Sequence, residues 1–273
     1  MQILESIDNP SGGIGKTVGG QFMSEGGFLA GKHGNQMSVS SPAMVTVFDD
    51  FVGASLATTK WTQVETDTDG AGAHLAGGIG GVLRITSGND DGNAVVLPDL
   101  SGITGGLLQW QASNGGLAMQ ARIKVSRVTL AYIFVGFTDL ATVEAPVIAS
   151  QTADGITTNA SDAVGFMFDT GSASDTWFLV GVAGDTDATK QVLTDAPVAG
   201  EYATLRVEVS SAGVATFFIN GLQVGDAMSG AVTAATDLTP CVYVSNTDGT
   251  SAVTLDVDYV YVQMNRAADG GAV

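Results

Sequence analysis

An all-β fold, a two-sheet antiparallel β-sandwich preceded by an extended glycine-rich N-terminal arm, is what this 273-residue sequence predicts. Three features carry the prediction. Apolar residues alternate with a period of two, short apolar runs are punctuated by Gly, Asn and Asp turns, and no stretch of a dozen residues shows capped 3.6-residue periodicity. An α/β architecture with crossover helices would need that last pattern, and it is set aside.

Residues 1–43 form the arm. Nine glycines, at 12, 13, 15, 19, 20, 26, 27, 31 and 34, interrupt every candidate helix or strand, and the apolar residues Ile14, Val18, Phe22, Phe28 and Leu29 are thinly spread. Such a segment buries too little surface to offset its own ordering entropy. It is expected to order only when something else supplies the other face, with Phe22, Phe28 and Leu29 as buried anchors; a disordered leader is the alternative. Ser11-Gly12-Gly13-Ile14-Gly15-Lys16-Thr17 imitates a phosphate-binding loop. That loop must join a buried strand to a helix, and Gly19-Gly20 and Gly26-Gly27 break the helix that should follow, so nucleotide binding is not expected.

Residues 44–266 form the sandwich, and 267–273 a flexible tail. Leu117, Met119, Ala121, Ile123 and Val125 alternate with Ala118, Gln120, Arg122 and Lys124, which predicts a half-buried strand with one polar face. Leu205, Val207 and Val209 repeat the signature against Arg206 and Glu208, as do Leu255, Val257, Tyr259 and Tyr261 against Asp256, Asp258 and Val260. The unbroken apolar runs Leu130 to Phe137, Val164 to Phe168 and Trp177 to Val182 predict central strands covered on both faces. Asn220-Gly221 is the strongest turn signal, because both central residues of a tight hairpin must tolerate positive φ. About 220 residues of such strands suit a large two-sheet sandwich better than a small barrel.

Composition narrows the function. Ten Lys and Arg stand against 28 Asp and Glu, a formal charge of −18, so nucleic acid and anionic membrane surfaces are disfavoured as partners. No apolar run approaches the roughly 20 residues needed to cross a bilayer, and the first 20 residues lack a basic start followed by an apolar stretch. Synthesis in the cytoplasm without a secretion signal is the expectation. The single Cys241 lies among β-branched and apolar neighbours and reads as a small buried residue rather than a reactive thiol.

The segments Ala215 to Gly221, Leu238 to Asn246 and Leu255 to Val262, in that order and spacing, resemble the last strands of concanavalin A-like lectin/glucanase jelly rolls. Phe48-Asp49-Asp50-Phe51-Val52-Gly53, then Trp61, then Gly81 to Gly88, resemble the version of that fold carried by tailed-bacteriophage virion proteins. The resemblance covers roughly Phe48 to Arg266. It implies either carbohydrate chemistry or binding, or structural service on a virus particle.

Glucanases of the fold carry E-x-D-x-x-E on one strand, because glycoside hydrolysis needs two carboxylates about 5 Å apart. The nearest match, Glu65-Thr66-Asp67-Thr68-Asp69-Gly70, has glycine where the second glutamate should stand, which removes the acid/base partner. No catalytic residue and no enzyme activity are expected. The same stretch imitates the start of a calcium loop through Glu65, Asp67 and Asp69, yet its twelfth position is Ala76, which cannot close the shell; an acidic solvated turn is the plainer reading, and no cofactor is expected. Asp185 and Asp187 raise the same question with less support. His33 and His74 sit in glycine-rich surroundings and read as loop histidines. Trp61, Trp110 and Trp177 are the candidates for sugar-stacking platforms, although each stands beside strand-like apolar residues that favour core packing.

A noncatalytic virion structural protein follows: a bacteriophage capsid decoration or auxiliary protein, at the outer capsid surface, that docks through its arm and projects the sandwich outward. Its partners would be the major capsid protein or other virion proteins, with homo-oligomers, such as a trimer, on a symmetric lattice. The alternative is a carbohydrate-binding module of a phage fibre or tail that recognises host surface glycan through Trp61, Trp110 or Trp177. An internal tail or portal-associated component shares the structural class and differs in address.

Overall fold

In the computed structural model the described residues are 7–8, 14–18, 21–23, 28–30, 36–38, 44–56, 60–61, 63–65, 70–75, 80–89, 94–98, 110–140, 148–151, 156–247 and 251–265. Within 7–38, 64–65, 94–98 and 149–151 the backbone alone is described. The chain divides into two compact units, Met1–Thr46 and Val47–Val273.

The N-terminal unit pairs β1 (Ile7–Asp8), β2 (Ile14–Val18), β3 (Gln21–Met23), β4 (Phe28–Ala30) and β5 (Gln36–Ser38) antiparallel, each with the next. The glycine-rich segment therefore does form strands. All its glycines but Gly15 fall between them in sequence, so the glycines separate strands instead of preventing them. Lys16 and Thr17 lie on β2, a strand and not the helix start that a phosphate loop requires.

Two eight-stranded antiparallel sheets make the second unit. Sheet one runs β17 (Thr186–Asp187), β16 (Phe178–Ala183), β15 (Ala163–Asp169), β12 (Ala131–Thr138), β22 (Thr239–Asn246), β10 (Ala94–Pro98), β7 (Val64–Glu65), with β18 (Gln191–Val192) also beside β16. Sheet two runs β21 (Leu222–Met228), β20 (Ala215–Ile219), β19 (Tyr202–Val209), β11 (Leu117–Val125), β23 (Thr254–Asn265), β9 (Leu83–Thr86), β8 (Ala71–His74), with β6 (Met44–Asp49) also beside β23. A further hairpin joins β13 (Ile148–Gln151) to β14 (Ile156–Thr158). Among the described residues the helical content is one 3-10 turn, Ala112–Asn114.

Register fixes which side chains meet. The rings of Phe166 and Phe217 pack edge to face across the two sheets, 5.5 Å apart, and mark the inner faces. Phe217, Val207, Met119 and Val262 form one cross-strand row on the inside of sheet two, while the next row, Phe218, Arg206, Gln120 and Tyr261, points the other way. The alternation read along β11 and β19 is thus one face in the core and one out; on β23 it holds only as far as Val257, where a register shift turns Val260 and Val262 inward and sends Tyr259 and Tyr261, read as part of the apolar face, outward. In sheet one, Phe166, Val135 and Val242 form the inward row, and Met167, Phe134 and Tyr243 the outward row.

That outward row is buried too. Tyr132, Phe134, Met167, Phe178, Val180, Cys241 and Tyr243 pack with Ile148, Ile156 and Ala160 of the segment containing the β13–β14 hairpin, and Leu140 joins them. This strap explains why the apolar runs of β12, β15 and β16 are continuous instead of alternating. At the middle of the sheet Gly136 and Gly165 face each other across β12 and β15. A Cβ on Gly165 would lie 2.9 Å from the Gly136 Cα and closer still to the Val135 carbonyl oxygen. The turn between β20 and β21 has φ of 51° at Asn220 and 81° at Gly221, the left-handed pair that a tight hairpin demands. The Asn220 Oδ1 accepts the Thr204 N–H at 2.9 Å and ties the turn to β19.

One flank is closed by a side chain. The Gln191 carboxamide on β18 donates Nε2–H to the Asp226 carbonyl at 2.9 Å and accepts the Asp226 N–H at 2.7 Å through Oε1. The Gln191 amide thereby satisfies both backbone groups of a residue on edge strand β21.

Candidate functional site

The three tryptophans are core. Trp61 and Trp177 are 1% exposed and Trp110 is 0% exposed, so none presents a ring to a ligand, and the glycan platforms built on them are ruled out at these positions. The Trp61 indole N–H finds its partner in the Asp49 carboxylate at 2.9 Å, while Trp177 packs edge-on against Phe166 and Phe168. Burying the indole with a bonded N–H gives the packing of a large aromatic without an unsatisfied donor. Asp49 also accepts the Phe51 N–H at 2.9 Å and pairs with Lys60 at 3.3 Å, so one carboxylate ties Phe51, Lys60 and Trp61 together.

Glu65 lies on β7 with its side chain outside the described residues, and Asp67, Asp69 and His33 lie outside them altogether. Phe22 stands on β3 and Phe28 and Leu29 on β4, but their side chains are likewise outside the described residues. Contrary to a loop placement, His74 ends strand β8, and its ring meets Phe51 edge-on at 6.5 Å. Asp185 and Asp187 are exposed where β16 turns into β17. Among the described residues no three His, Cys, Asp or Glu side chains converge as a metal site requires. Burial pushes the Cys241 thiol up, which leaves it protonated and unreactive at neutral pH.

Two carboxylates do stand close together on one strand, and sequence inspection passed over them. Asp256 and Asp258 of β23 are separated by Val257, and a register shift opposite Arg122–Ile123 gives Asp258 the extra place of a bulge. Asp256 is 1% exposed and takes two hydrogen bonds from Arg84, 2.6 and 2.9 Å, and an ion pair from Lys124 at 2.9 Å. Arg122 binds Asp258 at 2.6 Å. The Arg122 guanidinium and the Lys124 ammonium both lie over the Tyr202 ring, 4.0 and 4.8 Å from its centre. Beyond them on the same face, Gln120 donates to the Tyr259 hydroxyl at 2.7 Å, and Arg206 pairs with Glu208. The sequence signal for this cluster was the polar half of each alternating strand. Its partners, however, come from β9, β11, β19 and β23, so no local spacing reveals it.

Electrostatics decides what these carboxylates can do. Burial alone would raise the Asp256 pKa, but the hydrogen bonds and charges of Arg84 and Lys124 outweigh it and hold the carboxyl below its usual range. A general acid needs the opposite shift. Asp139 and Asp169 go the other way: burial raises both, with the charge of Asp162 adding at Asp139 and that of Asp175 at Asp169. Asp162 itself is 4% exposed and accepts the Thr233 N–H at 2.5 Å, the Thr236 hydroxyl at 3.2 Å and the Gly184 N–H at 3.3 Å, an anchor for three loop positions.

Opposite shifts give opposite pH dependences. Asp256 contributes stability above the ordinary carboxylate pKa, and that stability is lost as pH falls through its depressed folded value. Asp169 binds its proton more tightly folded than unfolded, so its contribution grows as pH falls through the raised value. Asp256→Asn is expected to lower the urea midpoint at pH 7 and to lose its effect in strong acid. Asp169→Asn, which keeps the acceptor for the Gly171 N–H, is expected to raise the midpoint at pH 7 and flatten its rise toward acid. A pH series of urea titrations on the two variants checks both signs.

No family model matches the chain, and no curated protein matches it. Solved structures do. An endo-glucanase of glycoside hydrolase family 16 from Bacteroides ovatus superposes with TM-score 0.53 at 10% identity, over 79% of this chain and 99% of that one. Peanut lectin gives TM-score 0.52 at 14% identity over 81% and 97%. A Shewanella oneidensis protein of unknown function gives 0.52 at 13% identity over 87% and 93%. At such identities the likeness is one of architecture, and the architecture it shows for this chain is the concanavalin A-like lectin/glucanase jelly roll.

Proposed function

We propose that the chain is a noncatalytic structural protein of a bacteriophage virion, a decoration or auxiliary protein that docks on the capsid through its N-terminal unit and projects the jelly roll outward. One observation carries the reading: the outside of sheet one is covered by the chain's own strap, and the two neighbouring carboxylates on the outside of sheet two are tied up by cations instead of free for acid–base work. The strap with Ile148 and Ile156 closes the outside of sheet one, and ion pairs hold Asp256 and Asp258 on the outside of sheet two. Among the described residues neither face presents a protonated carboxylic acid opposite an ionised carboxylate, the pair that glycoside hydrolysis uses. The strong acidity of the chain and its separate glycine-rich N-terminal unit fit a role at the outside of a particle, away from packaged nucleic acid.

Deleting residues 1–43 is expected to abolish capsid occupancy in a binding assay with purified particles while the sandwich keeps its melting transition. Phe22→Ala, Phe28→Ala and Leu29→Ala together are expected to weaken binding in the same assay. Undiminished occupancy by the folded truncated protein would overturn the docking role, and specific retention on a glycan array would favour a carbohydrate-binding module instead.

A further inference from the structure

The outside of sheet two gathers residue types that the chain otherwise uses sparingly. Three of its five tyrosines, Tyr202, Tyr259 and Tyr261, lie there, and the other two, Tyr132 and Tyr243, are buried in sheet one. Arg84, Arg122, Lys124 and Arg206 stand with them against Asp256, Asp258 and Glu208, which leaves six cations and twenty-five acids for the rest of the chain. The layering sharpens the contrast. The Arg84 and Arg122 side chains are 39% exposed and Lys124 27%, whereas Asp258 is 21% exposed and Asp256 1%. The cation heads therefore form the outer surface, and the carboxylates lie beneath and position them.

This band is built for contact. Arginine and tyrosine dominate the energetics of protein interfaces. Here the cation heads are already fixed by carboxylates and by the Tyr202 ring, so little side-chain entropy remains to be lost on docking. An arginine has five N–H donors, and the carboxylates take two from Arg84 and one from Arg122. Phe48, 48% exposed and 6.0 Å from the Tyr259 ring, extends the band with apolar surface.

We propose that this band is where a second copy of the chain docks, with exposed carboxylates of that copy meeting Arg84, Arg122 and Lys124. Charge complementarity selects the occupant. The rest of the molecule is acidic, with Asp185, Asp187, Asp195, Glu201, Asp226 and Asp237 all exposed. Each copy thus supplies the carboxylates that the band of the next copy accepts. Two different surfaces meet in such a contact, so it closes as a ring or propagates as a chain. At an ionic strength of about 0.15 M the Debye length is about 8 Å, which screens the repulsion between two molecules of charge −18 but not pairs in contact.

Sedimentation of the full chain at that ionic strength tests the proposal. The unmodified protein is expected to associate with rising concentration. Combined Arg122→Gln, Lys124→Gln and Asp258→Asn, which leaves Asp256 bound by Arg84 and strands no partner of Arg122, is expected to weaken association at least tenfold, about 1.4 kcal/mol, while the variant still melts cooperatively. Zero-length carbodiimide coupling in a mixture of isotopically light and heavy protein gives an independent reading. An amide between Lys124 of one copy and an Asp or Glu of another supports the contact even if the triple variant fails to fold. A protein that stays monomeric at every concentration, a folded variant that associates like the parent, or association with intermolecular couplings only at other lysines overturns it.

Discussion

Phe166→Ala is expected to destabilise the jelly roll by about 3–5 kcal/mol, the cost of removing a fully buried phenylalanine and leaving a cavity that its neighbours cannot fill. Phe166 is 0% exposed and holds edge-to-face contacts to Trp177 and to Phe217 on the opposite sheet, so its loss uncouples the two layers at their centre. Urea unfolding followed by tryptophan fluorescence isolates the effect, because Trp61, Trp110 and Trp177 all lie in the second unit. Phe218→Ala, one residue from Phe217 and on the outward row, is the control and is expected to cost about 1 kcal/mol or less. Equal losses at the two positions would contradict the assignment of inner and outer faces.

Gly165→Ala is expected to cost about 3 kcal/mol for a different reason, overpacking against main chain. The added methyl would meet the Val135 carbonyl oxygen and the Gly136 Cα, neither of which can rotate away as a side chain could. The strands β12 and β15 would have to separate where they share seven cross-strand pairs. Gly221→Ala offers the comparison: its added methyl meets nothing within 4 Å and is penalised only by the positive φ of 81°. A large midpoint shift for Gly165→Ala with a smaller one for Gly221→Ala is the result that checks close approach against backbone conformation. If Gly165→Ala keeps the parent midpoint, the two strands are not in the contact described.

Local pattern disclosed the sheets well. The alternation along Leu117 to Val125 marks β11, the Asn220-Gly221 turn separates β20 from β21, and the continuous apolar runs coincide with β12, β15 and β16. Period-two chemistry and turn geometry are short-range properties, and short range is what a sequence displays. Two things were hidden. The β13–β14 strap that covers sheet one has no alternation to announce it, and the glycines of the N-terminal segment mask strands only two to five residues long. The charged band on sheet two was hidden for a topological reason: Arg84 and Asp256 are 172 residues apart in the chain and become neighbours only because β9 and β23 pair. The strand-like apolar neighbours of the tryptophans favoured core packing from the start, and their burial agrees with that reading.

The Gln191 carboxamide has a consequence for life at high local density. A protein repeated many times on one assembly holds its own free strand edges close to those of its neighbours, and backbone groups exposed there can template cross-β stacking. By covering Asp226 with a side-chain copy of a peptide bond, the flank removes one rung from any such ladder while leaving each molecule able to associate through other surfaces. A single amide thus guards one position of the edge against strand addition.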